Sequence, residues 1–164
     1  MKTIAERRAE LWGEPKWDER VKMMAAHVPP TTSVIDLGSG ARTLAKYLPK
    51  TCRYTAADIM PGPGVLPLSW DEQLYPVGQW DVAVLSGSLE YASYPTHVLF
   101  ALRELAPLVL MSYEHGGTYK RRTINGFRNH LSKAGLVAEL ERAGWRHEEI
   151  GRWKTQVIYR LRRT

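Results

Sequence analysis

The residues best suited to chemistry fall in two short stretches, Asp36-Leu-Gly-Ser-Gly40 and Ala57-Asp58-Ile59. In the first, the two glycines permit a tight turn and close approach of backbone to a ligand. A helix starting just after them offers unpaired N–H groups. Asp36 is the wrong charge for a phosphate and suits an ammonium or a set of ligand hydroxyls. Thr43 stands where a dinucleotide fingerprint needs its third glycine, which argues against a nicotinamide-dependent oxidoreductase. Asp58 lies 18 residues beyond Gly40, and a carboxylate there can accept hydrogen bonds from both hydroxyls of a ribose.

Candidate proton acceptors lie further along. His115 and Glu114 follow the apolar run Leu108–Met111, and His130 precedes the last long helical pattern. Either imidazole, at the mouth of a site, can serve as a general base. Glu90 and Tyr91 are placed to line the same opening. The stretch Thr118–Asn129 has no clean period and carries four basic residues, among them Arg121 and Arg122. Guanidinium groups bind carboxylates and phosphates in bidentate fashion. This basic insert, residues 113–130, is expected to form a lid over a small anionic or sugar-bearing molecule. No catalytic triad and no metal-ligand cluster is legible.

These groups need a scaffold, and the apolar pattern supplies one. Ser33–Leu37, Arg53–Ala57, Val65–Leu68, Trp80–Leu85 and Leu108–Met111 read as strands, several of them near-continuous apolar runs of the kind buried on both faces. Between and around them, Leu44–Leu48, Thr96–Leu105 and Leu131–Ala143 carry helical spacing, the last with Ser132 as N-cap and Gly144 as C-cap. Lys2–Leu11 and Trp17–His27 predict N-terminal helices within residues 2–27, with Trp12 and Trp17 able to cover a site. Trp145–Ile150 and Lys154–Leu161 predict a closing hairpin. The alternation predicts an α/β fold: a Rossmann-like, doubly wound, mostly parallel sheet with a C-terminal antiparallel hairpin strand. Ligands of such sheets bind at the carboxyl ends of the strands, where strand order reverses.

Taken in order, Val34-Ile-Asp-Leu-Gly-Ser-Gly40, Ala57-Asp58-Ile59, Trp80–Leu85 running into Ser88-Leu-Glu-Tyr91, and Ala143-Gly-Trp145 with its hairpin resemble the class I S-adenosylmethionine-dependent methyltransferases. The resemblance covers about Val34 to Leu161. It implies S-adenosyl-L-methionine as cofactor, with Asp36, Gly38, Ser39 and Gly40 cradling its methionine part. Asp58 would hold the ribose, Ile59 would flank the adenine, and the Ser86 backbone would lie near the amino-acid portion. A further adenine contact would fall among Ser69, Trp70 and Asp71. The implied reaction is methyl transfer to a small acceptor, with His115 and His130 as candidate bases. A non-catalytic cofactor-binding regulatory domain and an RNA methyltransferase are the alternatives.

Composition bounds these readings. A chain of 164 residues, 44% apolar and 24% charged, predicts one globular domain over 1–164. Residues 1–118 carry 11 Lys/Arg against 13 Asp/Glu, whereas residues 119–164 carry 12 against 4, so an anionic partner is expected near the C-terminal third. Nucleic acid is disfavoured as that partner, because no binding module remains outside the catalytic fold. No apolar run approaches a membrane span, and no secretory h-region stands at the N-terminus. With Cys52 as the lone cysteine, a cytoplasmic location is expected.

Overall fold

The computed structural model describes residues 17–117 and 119–164. Lys2–Leu11 and Trp12 lie outside the described residues. Helix α1 (Asp18–Ala25) leads into strands β1 (Ser33–Leu37), β2 (Arg53–Asp58), β3 (Val65–Pro67) and β4 (Val82–Ser86). Then come α2 (Pro95–Leu105), β5 (Leu108–Glu114), α3 (Tyr119–Ile124), α4 (Lys133–Arg142) and the hairpin strands β6 (Trp145–Trp153) and β7 (Gln156–Arg163).

The seven strands form one sheet in the order β3-β2-β1-β4-β5-β7-β6. Strands β1 to β5 run parallel, and β7 is antiparallel to both β5 and β6. The order reverses between β1 and β4, where diverging connections open a crevice at the strands' carboxyl ends. The expected Rossmann-like sheet with its antiparallel terminal strand is present.

Alternating residues explain why both faces must be covered. Val34, Val82, Val84 and Leu110 meet Val21 and Met24 of α1 on one side. Ile35, Leu37, Leu85 and Met111 meet Leu99 and Leu102 of α2 and Leu136 and Leu140 of α4 on the other. The helix ends follow their capping chemistry. Pro95 opens α2. The Ser132 hydroxyl accepts the Gly135 N–H at 3.0 Å at the start of α4. Gly144, at φ +74°, ends it in the left-handed region.

Four of the differences from the sequence expectation have a local reason. Strand β5 runs three residues past Met111 to Glu114, because β7 pairs with it from Leu108↔Arg162 to Glu114↔Gln156. Backbone pairing extends the strand where side-chain hydrophobicity has already stopped. Leu44–Leu48 is replaced by a single 3-10 turn, Thr43–Lys46, entered through Arg42 at φ +58° and followed by Pro49. Trp80 and Asp81 precede β4 instead of opening it. The Asp81 carboxylate accepts both the N–H and the hydroxyl of Ser33, each at 2.7 Å, and so pins the start of β1. Finally, the aperiodic insert contains α3, a helix of 6 residues.

Trp145 joins three elements. Its ring is fully buried among α2, α4 and the sheet, and Nε1 donates to the Leu99 carbonyl at 2.9 Å. Trp145→Ala removes both the packing and the donor, leaving an orphaned acceptor; a loss of about 3–5 kcal/mol is expected. For a chain of this size that lowers Tm by roughly 10 °C or more, readable by calorimetry or circular dichroism.

Candidate ligand-binding site

The carboxyl ends of β1, β2 and β4, together with α1, the insert and the β6–β7 turn, enclose a cavity of about 780 Å³. All seven expected cofactor positions line it: Asp36, Gly38, Ser39, Gly40, Asp58, Ile59 and Ser86. The switch point of the sheet therefore gathers residues that are separated by up to 50 positions in the chain.

The glycine turn is shaped by what lies beneath it. Gly38 takes φ +83°, and a Cβ there would stand 2.8 Å from the Ser88 Cβ, so any side chain would collide. The Gly38 and Ser39 N–H groups both donate to the Ala57 carbonyl, at 2.9 and 3.1 Å. Ser88 closes the other side by donating its hydroxyl to the Leu37 carbonyl at 2.9 Å. Asp58 completes the clasp, its two carboxylate oxygens accepting the Gly40 N–H at 2.8 Å and the Met60 N–H at 3.0 Å. Each oxygen keeps a further lone pair for a ligand hydroxyl. The Ser39 hydroxyl is buried and has no hydrogen-bond partner among the described residues, a donor left over in the turn itself.

Asp36 sits deeper. Burial pushes its carboxyl up to about 7, against the pull of a 2.8 Å hydrogen bond donated by the Tyr54 hydroxyl and of the Arg20 charge. Arg20 reaches the same region from α1 and is itself buried, which lowers its guanidinium to about 10. Its Nε donates to the Ser86 hydroxyl at 3.0 Å. One terminal nitrogen donates to the Gln156 side-chain carbonyl at 2.7 Å and the other to the Ser86 backbone carbonyl at 3.1 Å. All three acceptors are neutral. The compensating negative charge acts through space, from Glu90, Asp36 and Glu114.

Sequence reading missed Arg20 and Gln156. The signal for Arg20 was available: it shares the helix face of Trp17 and Met24, a charge set in an apolar stripe. Gln156 gave none, because it opens a strand across a chain separation of 136 residues from its partner. Trp17, singled out for its place in the N-terminal helix, does line the cavity, and its ring lies 4.7 Å from the Arg20 guanidinium.

Neither His115 nor His130 is brought to the cavity. Strand alternation points His115 to the opposite face with Tyr113. There its Nδ1 meets the Leu131 carbonyl at 3.3 Å and its Nε2 the Tyr159 hydroxyl at 2.7 Å. His130 is exposed. The same alternation turns Glu114 inward to the cavity. The basic insert also divides. Arg121 and Arg128 line the cavity, while Arg122 is buried with its guanidinium 5.9 Å from the Tyr113 ring and 5.8 Å from the Phe127 ring. Arg122 therefore holds the insert down and is not part of a recognition surface.

No protein-family model matches the sequence, and no curated protein is significantly similar to it. Solved structures are similar in fold. The Burkholderia thailandensis 1,6-didemethyltoxoflavin-N1-methyltransferase, solved with its substrate and S-adenosylhomocysteine, matches with a TM-score of 0.67 at 17% identity over 93% of this chain and 80% of that one. A SAM-dependent methyltransferase from Aquifex aeolicus matches with a TM-score of 0.69 at 16% identity over 98% and 99%. The N-methyltransferase NodS of Bradyrhizobium japonicum, solved with S-adenosylhomocysteine, matches with a TM-score of 0.64 at 14% identity over 94% and 90%. At these identities the likeness establishes a shared architecture, the Rossmann-like methyltransferase fold.

The raised Asp36 carboxyl makes stability depend on pH. In the unfolded chain this group titrates near 3.9, and in the folded chain near 7, so folding retains a proton between those values. The associated stability is fully present below pH 4 and is lost as pH rises through 7. Asp36→Asn keeps an acceptor for Tyr54 without the buried charge. Its stability advantage over wild type is expected to grow from pH 4.5 to pH 8, reaching a few kcal/mol, and then to level, with the Tm difference following it. Glu90, also raised by burial to about 7, titrates alike in both proteins and cancels in the difference. Parallel thermal scans across that range check this.

Proposed function

We propose that the chain is a S-adenosyl-L-methionine-dependent methyltransferase acting on a small-molecule acceptor. The observation carrying this reading is the convergence of the glycine turn, Asp36, Asp58 and a buried Arg20 on one cavity at the switch point. These residues fit a zwitterionic nucleoside. The Asp58 lone pairs match a ribose diol and Asp36 matches an ammonium. Arg20 and the orphaned Ser39 hydroxyl match a carboxylate. Ile59, half exposed at the cavity, and Leu68 offer an apolar slot for a base. Within the adjoining loop, Asp71 is tied to the Ser93 N–H at 2.8 Å, which favours Ser69 or Trp70 as the residue facing that base. The fold neighbours solved with S-adenosylhomocysteine support this assignment.

When bound, the cofactor supplies an activated methyl group on a sulfonium. The protein's own contribution is orientation, an effect able to supply about 7–11 kcal/mol when donor and acceptor are held in near-attack geometry. The Gly38 and Ser39 turn is locked by the Ala57 carbonyl, and Asp58 is locked by Gly40 and Met60. Little reorganisation is left for the ligand to drive. The C-terminal walls, Lys154 and Gln156, and the insert's Arg121 and Arg128 exclude water from one side and set the charge at the rim. We read residues 1–164 as a single domain. A cytoplasmic location agrees with Cys52 standing as a free, half-buried thiol; no helix among the described residues is long and apolar enough to cross a membrane.

Isothermal calorimetry with S-adenosylhomocysteine tests the reading. Micromolar or tighter binding is expected, and Asp58→Ala should weaken it at least tenfold while leaving the fold intact. Affinity should also rise about tenfold from pH 6 to pH 8, because Asp36, near 7 in the free protein, must ionise to meet an ammonium. Asp36→Asn should bind more weakly at pH 8 and show a flat profile. No binding at any pH, with the chain folded, would refute the assignment.

A further inference from the structure

Glu114 is the group the cofactor reading leaves unused. It is 94% buried at the end of β5, lines the cavity, and its carboxylate has no hydrogen-bond or ion-pair partner among the described residues. Its position is nevertheless fixed, since its own N–H donates to Glu90 Oε1 at 2.9 Å and its backbone is paired with Gln156. Arg20 lies close enough to feel this charge, yet no hydrogen bond joins the two; three of its five donors go to Ser86 and Gln156. A buried, unpartnered carboxylate is costly unless a ligand meets it with a cation or a strong donor.

The surroundings narrow what that ligand is. The same cavity is lined by Tyr91 and Phe127, packed edge to face with ring centroids 5.3 Å apart. The rim beyond them is basic. Arg128 uses its backbone N–H on the Glu90 carbonyl at 2.8 Å, while its side chain has no ion-pair partner among the described residues. Lys154, on the β6–β7 turn, lies over the Trp153 ring at 4.5 Å. Negative charge at the floor, aromatic faces at the side and positive charge at the rim form one graded surface.

Resting on the methyltransferase reading above, we propose that the acceptor is a small arylalkyl amine that also carries an anionic group, its ammonium held by Glu114 and its anion by Arg128 and Lys154. Glu114 takes one proton from the ammonium. An N–H bond breaks, an O–H bond forms on the carboxylate, and the electron pair stays on nitrogen as the nucleophile for the methyl group. A carboxylate in this place serves an amine better than the imidazole of His115, which faces the other side of the sheet.

The test uses the full chain saturated with S-adenosylhomocysteine and three rigid probes: 4-(aminomethyl)benzoate, which carries both charges, 4-methylbenzoate, which lacks the ammonium, and benzylamine, which lacks the carboxylate. By calorimetry the first is expected to bind at least tenfold more tightly than either of the others. Glu114→Gln should bring it within twofold of 4-methylbenzoate, with S-adenosylhomocysteine affinity unchanged and Tm no lower than that of wild type. The double variant Arg128→Ala/Lys154→Ala, at exposed positions, should bring it within twofold of benzylamine. Equal binding of the three probes, binding of none of them, or an unaltered preference in Glu114→Gln overturns the proposal. Failure of wild type to hold S-adenosylhomocysteine overturns the underlying reading, and this one with it.

Discussion

Charge kept out of water at the switch point is the constraint around which the rest of this molecule is arranged. Asp36, Glu90, Glu114 and Arg20 are all at least nine-tenths buried beneath one opening. Three of the four have partners fixed beforehand, because an unmatched charge at this depth costs several kcal/mol. Tyr54 answers Asp36, Ser86 and Gln156 answer Arg20, and Glu90 accepts the last N–H of β5. What those partners leave over is what a ligand must complete. Under the proposed reading, the cavity would select by what those partners leave unmet, above all at the two carboxylates Asp36 and Glu114.

Most of the framework was readable from the chain because it is written in hydrophobic periodicity. β1, β2 and β4 are apolar runs ending in glycine, aspartate or serine, and these punctuation residues are the ones that line the cavity. The fold class and the seven cavity-lining positions follow from that pattern and from the family resemblance. Where the reading failed, non-local pairing decided the outcome. Nothing in Ser112-Tyr-Glu-His115 announces a strand continuing to Glu114; only β7, more than 40 residues later, makes it one. A strand that lengthens by backbone pairing also reassigns the direction of each side chain, and this removed His115 from the opening and delivered Glu114 to it.

The insert illustrates the same limit. Four basic residues close together read as one electropositive lid, yet burial separates them by role. Asn129 donates to the Leu89 and Ala92 carbonyls at 2.8 and 2.9 Å and accepts the Tyr113 hydroxyl, and Arg122 packs against Tyr113 from above. Those contacts anchor the segment to the turn after β4, so that Arg121 and Arg128 are offered to the cavity from a seated base. Composition records how many charges a segment has, whereas their direction depends on what lies under them.

The hydrogen bond from Arg20 to Gln156 joins an early helix to the first residue of the final strand. Until that strand has been synthesised and inserted between β5 and β6, the early arginine lacks one of its three acceptors and the crevice lacks a wall. A chain emerging from the ribosome would form its glycine turn before that wall exists, so the pocket is completed only when the closing hairpin docks.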